Sequence, residues 1–413
     1  GFGRSNGQTV PGDFEAADFS ELQLYKSLRN YERVGNMLGI KTPFFQTIGG
    51  RSGSIVEIDG TSKLNFAWCD YLGLSQLPAM TEAAKAALDR FGPCVSASRM
   101  VSGELDMHRT LEAELADFLG VESSLLFVSG HAANVSTIGT LMEEKSLIIH
   151  DEFVHNSAVI GMRLSRAKAL GFRHNDLDHL EELLRENRHK HKHVLVIVEG
   201  LYSTEGDRVD LARVVELKEQ YGAWLMVDDA HGTGVLGTTG RGIAEDCDID
   251  ARRVDIWMGT LSKTLGSCGG FIAGDQKLID ILKHTAPGFV FSVCLPPAMT
   301  AAALTAVRTI KAEPQRVARL HANGALFLEE AARLGLDTGK SVGRGMLPVI
   351  AGDVIKSVKL WHKVFERGIN PSLIVYPGVP MKAGRLRFFL TSEHTADEIR
   401  GALGIVAEEL NSL

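Results

Sequence analysis

The sequence predicts an α/β protein with a mainly parallel central sheet in a large domain and a smaller α+β domain at its C-terminal end. Between about residues 79 and 260, short apolar segments typical of buried strands alternate with segments of helical periodicity. This alternation favours parallel strands with right-handed crossovers and helices on both faces of the sheet. After Leu295-Pro-Pro297 the helical segments lengthen and only two strand-like segments remain, which indicates a second domain.

The first part of the chain is expected to form an N-terminal helix and a small hairpin. Apolar residues recur at helical spacing across 14–38, which predicts the helix. The runs Ser54–Ile58 and Lys63–Trp68, separated by Asp59-Gly60, favour the hairpin. Residues 1–13 begin with glycine instead of methionine and are rich in glycine and polar residues, so we expect a linker or an expression remnant there.

The remaining elements follow from the same periodicities. We expect an N-terminal helix and extended arm over 14–60, a large domain over 61–290 and a small domain over 291–413. In the large domain the predicted helices span 79–91, 107–119, 133–143, 176–187 and 210–221, and the predicted strands span Leu125–Val128, Leu147–His150, Val194–Val198, Trp224–Asp228 and Ile256–Gly259. In the small domain the predicted helices span 298–312, 315–334 and 354–367, the predicted strands span Leu347–Ile350 and Arg385–Thr391, and the last helix begins with the capping box Thr395-Ala-Asp-Glu398.

Composition excludes several classes of function. The net charge of −7 argues against a nucleic-acid partner. The sequence contains no apolar run of about 18 residues, so we expect no membrane span. Five scattered cysteines without a C-x-x-C pair are typical of reduced thiols in a cytoplasmic protein. Histidines alternate with lysines in 188–193, where the lysine charges would repel a metal ion, so we expect a solvated turn and no metal site.

A lysine and an aspartate stand at the ends of two predicted strands. Lys263 lies between small and hydroxyl residues, a setting that desolvates an amine and favours its use as a nucleophile, although a plain loop lysine beside glycines is the alternative. Asp228 ends the preceding predicted strand. Ligands of parallel sheets bind outside the carboxyl ends of the strands. The pair is what pyridoxal phosphate requires, a lysine for its aldehyde and a carboxylate for its ring nitrogen.

Other residues at strand ends suit the same ligand. His155 can stack on an aromatic cofactor and move protons, or serve only in the structure. The stretch Ser129-Gly130-His131 precedes a helix, where free N–H groups bind phosphate, although simple helix capping is the alternative. Ser203 lies at the same rim. Arg387, inside a late strand, needs an anion, which is either a substrate carboxylate or a structural ion-pair partner.

Read in order, a set of short motifs resembles the α-oxoamine synthases, a family of fold-type I pyridoxal phosphate enzymes. The resemblance runs from about Pro43 to His394. The motifs are Asp70-Tyr-Leu-Gly-Leu74, Ser98-Arg99 with Ser102-Gly103, His108-x-x-Leu-Glu112, Ser129-Gly130, Asp151-x-x-x-His155-x-Ser157, Glu199-Gly-x-Tyr-Ser203, Asp228-x-Ala-His231, Gly240-Arg-Gly242, Gly259-Thr-x-Ser-Lys263 and Leu386-Arg387.

The resemblance implies a role for each site residue. Lys263 would hold the cofactor and then remove the Cα proton, Asp228 would pair with the pyridinium nitrogen, His155 would stack on the ring and His231 would bond its phenolic oxygen. The further implied cofactor contacts are Ser129, Gly130, His131, Ser203, Thr260 and Ser262, with Ser292 reaching the phosphate from a partner subunit. The implied substrate contacts are Arg387, for the amino acid carboxylate, Asp70 and Ser98.

The implied reaction condenses a small amino acid (glycine, alanine or serine) with an acyl thioester of coenzyme A or a carrier protein, in a homodimer with shared sites. It releases carbon dioxide and an α-amino ketone. Two alternatives are an aminotransferase and a non-catalytic subunit of a heteromeric synthase, the second of which should lack the lysine.

One segment and three single positions depart from the family pattern. Bulkier residues over 92–99 replace a glycine-rich run, which should reshape the acyl pocket. Cys69 replaces a common asparagine, which leaves the choice of amino acid open. His131 replaces a common aromatic residue and Asn156 a common alanine.

Overall fold

The computed structural model describes residues 17–37, 39, 42–51 and 53–413. They fall into two units, one up to Gln46 and one from Thr47 onwards. In the first unit a 3-10 turn, Phe19–Glu21, precedes helix α1 (Gln23–Met37), inside the range where a helix is predicted. The predicted linker over 1–13 and the predicted start of this helix lie outside the described residues.

The second unit contains two sheets and the helices that cover them. The strands are β1 (Ile48–Gly49), β2 (Ile55–Ile58), β3 (Thr61–Phe66), β4 (Ser123–Phe127), β5 (Leu147–Asp151), β6 (Lys168–Phe172), β7 (Val194–Glu199), β8 (Trp224–Asp228), β9 (Ile256–Thr260), β10 (Gly270–Gly274), β11 (Met346–Gly352), β12 (Ile369–Ile374) and β13 (Gly384–Phe389). The helices are α2 (Pro78–Phe91), α3 (Asp106–Leu119), α4 (Gly130–Leu141), α5 (Asn156–Ser165), α6 (Leu177–Asn187), α7 (Leu211–Gln220), α8 (Ile243–Asp246), α9 (Gln276–Thr285), α10 (Pro287–Val290), α11 (Pro297–Ala312), α12 (Gln315–Arg333), α13 (Val354–Glu366) and α14 (Ala396–Asn411).

The larger sheet has the order β4-β10-β9-β8-β7-β5-β6, and its strands from β9 to β6 are parallel. Every residue of β7 is buried, as expected for an apolar run covered by helices on both faces. The prediction of a mainly parallel sheet is confirmed. Because the strands from β5 to β9 run the same way, Asp151, Glu199, Asp228 and Thr260 stand at one edge of the sheet.

The smaller sheet has the order β1-β2-β3-β12-β13-β11. The predicted hairpin is confirmed as β2 and β3, and its turn residues Asp59 and Gly60 have φ angles of 49° and 74°. Strand β12 pairs in parallel with β3, so this sheet joins an N-terminal hairpin to the C-terminal strands. The domain boundaries at 61 and 291 stay predictions.

Several elements were not predicted. Strand β10 is antiparallel to both neighbours and buries only five residues, a length too short to show a period. Strand β6 lies at the sheet edge and is mostly exposed, so it lacks an apolar pattern. Strand β12 contains Asn370-Pro371, which disguises it, and helices α5 and α9 were also missed.

Two expectations about the surface and the membrane concern particular segments. Residues 188–190 form a single 3-10 turn between α6 and β7. Across the part of the chain that the structure describes, no helix is long and apolar enough to cross a membrane.

Candidate active site

The carboxyl edge of the larger sheet gathers four titratable side chains. Asp228 is the last residue of β8 and Glu199 the last of β7. Lys263 follows three residues after β9, and His155 lies four residues beyond β5, where it caps helix α5. Sequence analysis predicted three of these positions, and Glu199 appeared only within a motif.

Asp228 is buried and its carboxylate is held in one orientation. The backbone N–H of Ala230 donates to Oδ1 at 3.1 Å, and the side-chain amide of Asn134 donates to Oδ2 at 2.8 Å. The second amide hydrogen of Asn134 is donated to the Ser157 hydroxyl at 2.9 Å. Asn134, buried on α4, was missed because nothing in the sequence pairs it with a residue 94 positions later.

The chain of hydrogen bonds continues to His155. Its Nδ1 lies 2.7 Å from the Ser157 hydroxyl and also accepts the Ser157 backbone N–H at 3.3 Å, so the proton of the neutral ring is on Nε2. Burial lowers the pKa of His155, as do the charges of Lys263 and His131, while Asp228 opposes them. Asp228 and the imidazole are therefore linked through Asn134 and Ser157.

Glu199 fixes the backbone of the same loop. Its carboxyl accepts the N–H of His155 at 2.6 Å. Burial and the neighbouring charge of Asp228 raise the pKa of Glu199 well above its usual range. Burial and a like charge nearby therefore favour the neutral form of Glu199.

Lys263 is half-buried among groups of both signs. Burial lowers the pKa of its amine, and the charge of Arg387 adds to this, whereas Cys69, Asp228 and Glu199 raise it. A lowered pKa increases the fraction of neutral amine, which is the nucleophilic form.

His231 is bound to a buried tyrosine. Its Nδ1 lies 2.7 Å from the hydroxyl oxygen of Tyr71. Burial, with the charges of Lys263 and Arg387, lowers the pKa of His231 well below its usual range, and burial raises that of Tyr71. Both groups are therefore neutral, and one hydrogen bond joins the Tyr71 hydroxyl to the Nδ1 of His231. Tyr71 belongs to a motif noted in the sequence, but its contact with His231 was not foreseen.

One end of the site is formed by the start of helix α4. Ser129 caps the helix by accepting the N–H of Ala132 at 3.0 Å, whereas the N–H groups of Gly130 and His131 precede the internal bonds of the helix. A Cβ on Gly130 would lie 2.9 Å from the side chain of Met258 and 3.3 Å from Thr260 Oγ1. The helix start therefore lies directly against strand β9, with open N–H groups of the kind that bind an anion.

The loop after β9 holds its own shape. The hydroxyls of Thr260 and Ser262 both donate to the carbonyl of Gly269, at 3.0 and 3.2 Å. Lys263 therefore follows directly on a hydrogen-bonded loop, and the predicted residue Thr260 lies beside the start of α4.

Arg387 lies in β13 without a carboxylate partner among the described residues. Its guanidinium donates to the Ser203 carbonyl at 3.1 Å and the Ser372 hydroxyl at 3.2 Å, and its buried Nε finds no partner in the described part of the chain. Burial lowers the pKa of Arg387. By contrast Arg385, two residues away, pairs with Glu205 at 2.6 Å.

The other predicted substrate contacts serve mainly their own loops. The Asp70 carboxylate accepts the N–H groups of Leu74 and Ser75, and the residue borders a cavity of about 320 Å³ whose wall includes Phe389. The carbonyl of Ser98 closes a turn by accepting the N–H of Gly103 at 2.8 Å.

Ser292 lies apart, on a loop whose neighbours are exposed. Phe291 is 85% exposed and Val293 is 51% exposed. The loop is joined to the Ser98 turn by a bond from the Cys294 N–H to the Ala97 carbonyl, 3.1 Å long.

Comparison with known proteins gives consistent matches. The family model described as aminotransferase class I and II matches residues 61–406. An 8-amino-7-oxononanoate synthase of Thermosipho melanesiensis is 40% identical over 360 residues, which cover 87% of this chain and 91% of that protein. The corresponding protein of Thermoanaerobacter pseudethanolicus is 38% identical over 352 residues, covering 85% and 89%.

Solved structures agree. Serine palmitoyltransferase of Sphingomonas wittichii has a TM-score of 0.90 at 28% identity and covers 96% of this chain and 99% of that chain. An 8-amino-7-oxononanoate synthase of Francisella tularensis has a TM-score of 0.74 at 26% identity, covering 85% and 98%.

Proposed function

The chain belongs to the aminotransferase class I and II family and is one of its α-oxoamine synthases, and from this premise we propose what its site residues do. It is a pyridoxal-phosphate-dependent acyltransferase with the fold-type I architecture. Its reaction is the decarboxylative condensation of a small amino acid with an acyl thioester.

The residues present fit pyridoxal phosphate. Lys263 offers an amine of lowered pKa, and the oriented carboxylate of Asp228 suits a protonated ring nitrogen. The open N–H groups of Gly130 and His131, with the Ser129, Thr260 and Ser262 hydroxyls nearby, suit a phosphate. When bound, the cofactor supplies an electron sink for negative charge that develops at the substrate Cα.

The observation that carries the proposal is the placement of Lys263 and Asp228 at adjacent strand ends. The neutral amine of Lys263 would bind the cofactor aldehyde and later accept the Cα proton of the amino acid. His155 would cover the ring with its neutral imidazole, while His231 would place a hydrogen-bonding nitrogen beside the phenolic oxygen.

The unused hydrogen-bond donor of Arg387 among the described residues supports a role in binding the amino acid. The half-buried guanidinium lies beside two neutral oxygen acceptors and has no counter-charge among the described residues, and a substrate carboxylate would provide one in bidentate form. Ser203 would then act through its carbonyl, which orients Arg387. Asp70 and Ser98 would shape the remaining walls of the substrate site.

We also propose that the functional unit is a homodimer in which Ser292 reaches the partner's phosphate site. The exposed apolar side chains that flank Ser292 support an interface there. A cytoplasmic location is a further proposal, supported by the free and exposed thiols of Cys94 and Cys268, which a reducing compartment keeps intact.

The function is tested by adding glycine, alanine or serine to the cofactor-loaded protein, then acyl thioesters of several chain lengths, and identifying the products by mass. We expect carbon dioxide and an α-amino ketone in equal amounts. Formation of pyridoxamine phosphate and a keto acid in their place would identify an aminotransferase.

The assignment of Lys263 has its own test. Lys263→Ala should bind pyridoxal phosphate without a borohydride-reducible adduct and should lose turnover. The control is Lys277→Ala, which removes an exposed lysine of α9 and should keep both. A reducible adduct at the active site of Lys263→Ala would refute the assignment.

A further inference from the structure

Beneath the rim of the site lies a buried cluster of Asp151, His174 and Asp207. Asp151 ends β5 and is fully buried, Asp207 lies in the loop after β7, and His174 follows β6 with its side chain 11% exposed. The imidazole Nδ1 lies 2.9 Å from an Asp151 carboxylate oxygen, and Nε2 lies 3.0 Å from Asp207 Oδ2.

This geometry requires a charged imidazole. A carboxylate can only accept, and a neutral histidine has a single N–H, so one of the two bonds would be lost in the neutral ring. Burial by itself would lower the pKa of His174, but the hydrogen bonds and charges of Asp151 and Asp207 outweigh it and raise the pKa to about 9. The cluster therefore holds a charged imidazole between two acidic side chains.

Other groups complete the environment of the ring. The Phe153 ring stacks on it at 4.4 Å, and Tyr202 meets it edge-on at 4.5 Å. The Glu152 carboxylate accepts the backbone N–H of His174 at 3.0 Å. The Asn175 amide donates to Asp207 at 2.9 Å. Asp151 and Asp207, the two acids bonded to the ring, both favour the protonated form of the imidazole.

Each aspartate also shapes a loop of the site. Asp151 accepts the N–H of Phe153 at 2.8 Å and so sets the turn that leads to His155. The backbone carbonyl of Asp207 accepts the N–H of Tyr202 at 2.9 Å and closes the loop that carries Ser203. His174 is the side chain that connects the two loops.

We propose that His174 is a positioning residue that, as an imidazolium held between Asp151 and Asp207, fixes the loops carrying His155 and Ser203. The proposal rests on the proposed function in one respect, namely that these loops line the cofactor site. The effect of His174 on the site is indirect, since its ring is bonded to the two aspartates. Removing its charge would leave two buried carboxylates without a counter-ion, and the loops should separate.

The test compares His174→Gln with His179→Gln in the cofactor-loaded protein and after cofactor removal. His179 lies nearby on α6, and within the described part of the chain its ring bonds only a backbone N–H, at 3.1 Å, so it is a matched control. In His174→Gln we expect amide hydrogen exchange at Phe153, Tyr202 and Gly206 to be faster by on the order of tenfold, and pyridoxal phosphate to dissociate about tenfold more readily. His179→Gln should change neither.

A charge-specific rescue separates charge from shape. Adding Asp207→Asn to His174→Gln removes one of the two repelling carboxylates, so slow exchange and cofactor affinity should partly return. If only the shape of the imidazole mattered, the second substitution would make the loops worse, and the proposal would be wrong.

The unmodified protein provides a measurement that does not depend on the folding of variants. In protein with ¹⁵N-labelled histidines, both ring nitrogens of His174 should carry hydrogen at pH 7.5. The contribution of the His174 proton to the free energy of unfolding should be fully present below about pH 6.5 and be lost as the pH rises through about 9. The reason is that the folded state holds this proton more tightly than the unfolded chain does. A singly protonated ring at pH 7.5, or unchanged exchange in His174→Gln, would overturn the proposal. Because amide hydrogen exchange can also be measured in the cofactor-free protein, it tests the role of His174 even if the assignment of Lys263 is wrong.

Discussion

Buried polar side chains at the site each have few partners, and this makes single residues decisive. Asn134 uses both amide hydrogens, one on Asp228 and one on Ser157, while its own buried Oδ1 has no partner among the described residues. Such an arrangement is costly in an ordinary core. It is understandable where a carboxylate and an imidazole must keep fixed orientations.

Replacing Asn134 should therefore damage the site from within. Asn134→Ala leaves Asp228 Oδ2 and the Ser157 hydroxyl without a donor, so we expect the free energy of unfolding to fall by about 1–3 kcal/mol and the affinity for pyridoxal phosphate to fall with it. Urea unfolding of the cofactor-free protein and a cofactor titration measure the two effects. The matched control is Thr137→Val on the same helix, because the buried Thr137 hydroxyl has no partner in the described part of the chain. Equal stability of the two variants would contradict the argument.

Asp228 should act on chemistry more than on binding. A carboxylate about 4 Å from the ring nitrogen stabilises the protonated form of that nitrogen by roughly 4 kcal/mol at an effective dielectric near 20. The cost of desolvating the two charges is not included in this value. Even a net gain of about 3 kcal/mol changes a rate roughly a hundredfold. We predict that Asp228→Asn still holds the cofactor but exchanges the substrate Cα proton with deuterated water far more slowly.

The adjacent aspartate gives this prediction a control. Asp229 is buried against Gly200, Gly232 and Gly242 and accepts the Ile243 N–H at 3.1 Å. Burial raises the pKa of Asp229 well above its usual range, so its neutral form is well imitated by asparagine. Asp229→Asn should therefore keep normal exchange. The reverse result, slow exchange in Asp229→Asn and normal exchange in Asp228→Asn, would show that the wrong acid was assigned.

At the scale of elements, the sequence predicts strand ends better than it predicts contacts. Strands β7, β8 and β9 are uninterrupted apolar runs, so the positions of Asp228 and Lys263 followed directly from where those runs stop. Helix α4 begins three residues earlier than predicted because Ser129 caps it. The antiparallel β10 could not be placed, since its pairing with β4 joins segments far apart in the chain.

The same reason limits prediction of the site. Lys263, Asp228 and His155 carry recognisable chemistry at a strand end, whereas Asn134 and His174 gain their importance from partners on other elements. Local periodicity contains no information about such pairs. The motif around Asp151 was noticed, but its bond to His174 is visible only in the fold.

The close packing of the start of helix α4 against strand β10 leads to a prediction for Gly270. A Cβ there would lie 2.5 Å from the Gly130 Cα, so Gly270→Ala should push the helix start away from β10. We expect weaker binding of pyridoxal phosphate and of inorganic phosphate, and a lower melting temperature. Gly139→Ala on the same helix is the control, because its Cβ would make ordinary contact at 3.5 Å with Leu164. If Gly270→Ala binds phosphate normally, the helix start is not the phosphate site.

At the scale of the whole molecule, exposed apolar residues cluster where the proposed homodimer would form its interface. Val101 is 82% exposed and Met100 is exposed beside it. Both lie on the Ser98 turn, which is hydrogen-bonded to the loop that carries Ser292. Two adjacent loops with large apolar side chains in water are unfavourable in a lone chain. The proposed homodimer would bury them, and it would bring Ser292 to the partner's site.

Mixing two inactive variants tests whether the sites are shared. Lys263→Ala removes the amine of its own site, and Ser292→Asp places a negative charge against a phosphate, which should prevent cofactor binding. If Ser292 serves the partner, a heterodimer of the two variants has one intact site and one doubly damaged site. Unfolding and refolding an equal mixture should therefore restore about a quarter of the wild-type activity, since roughly half of the dimers are mixed and each has one working site of two. Each variant refolded alone is the control and should stay inactive. If Ser292 serves its own chain, every site in the mixture carries one defect and no activity returns, which would show that the sites are not shared.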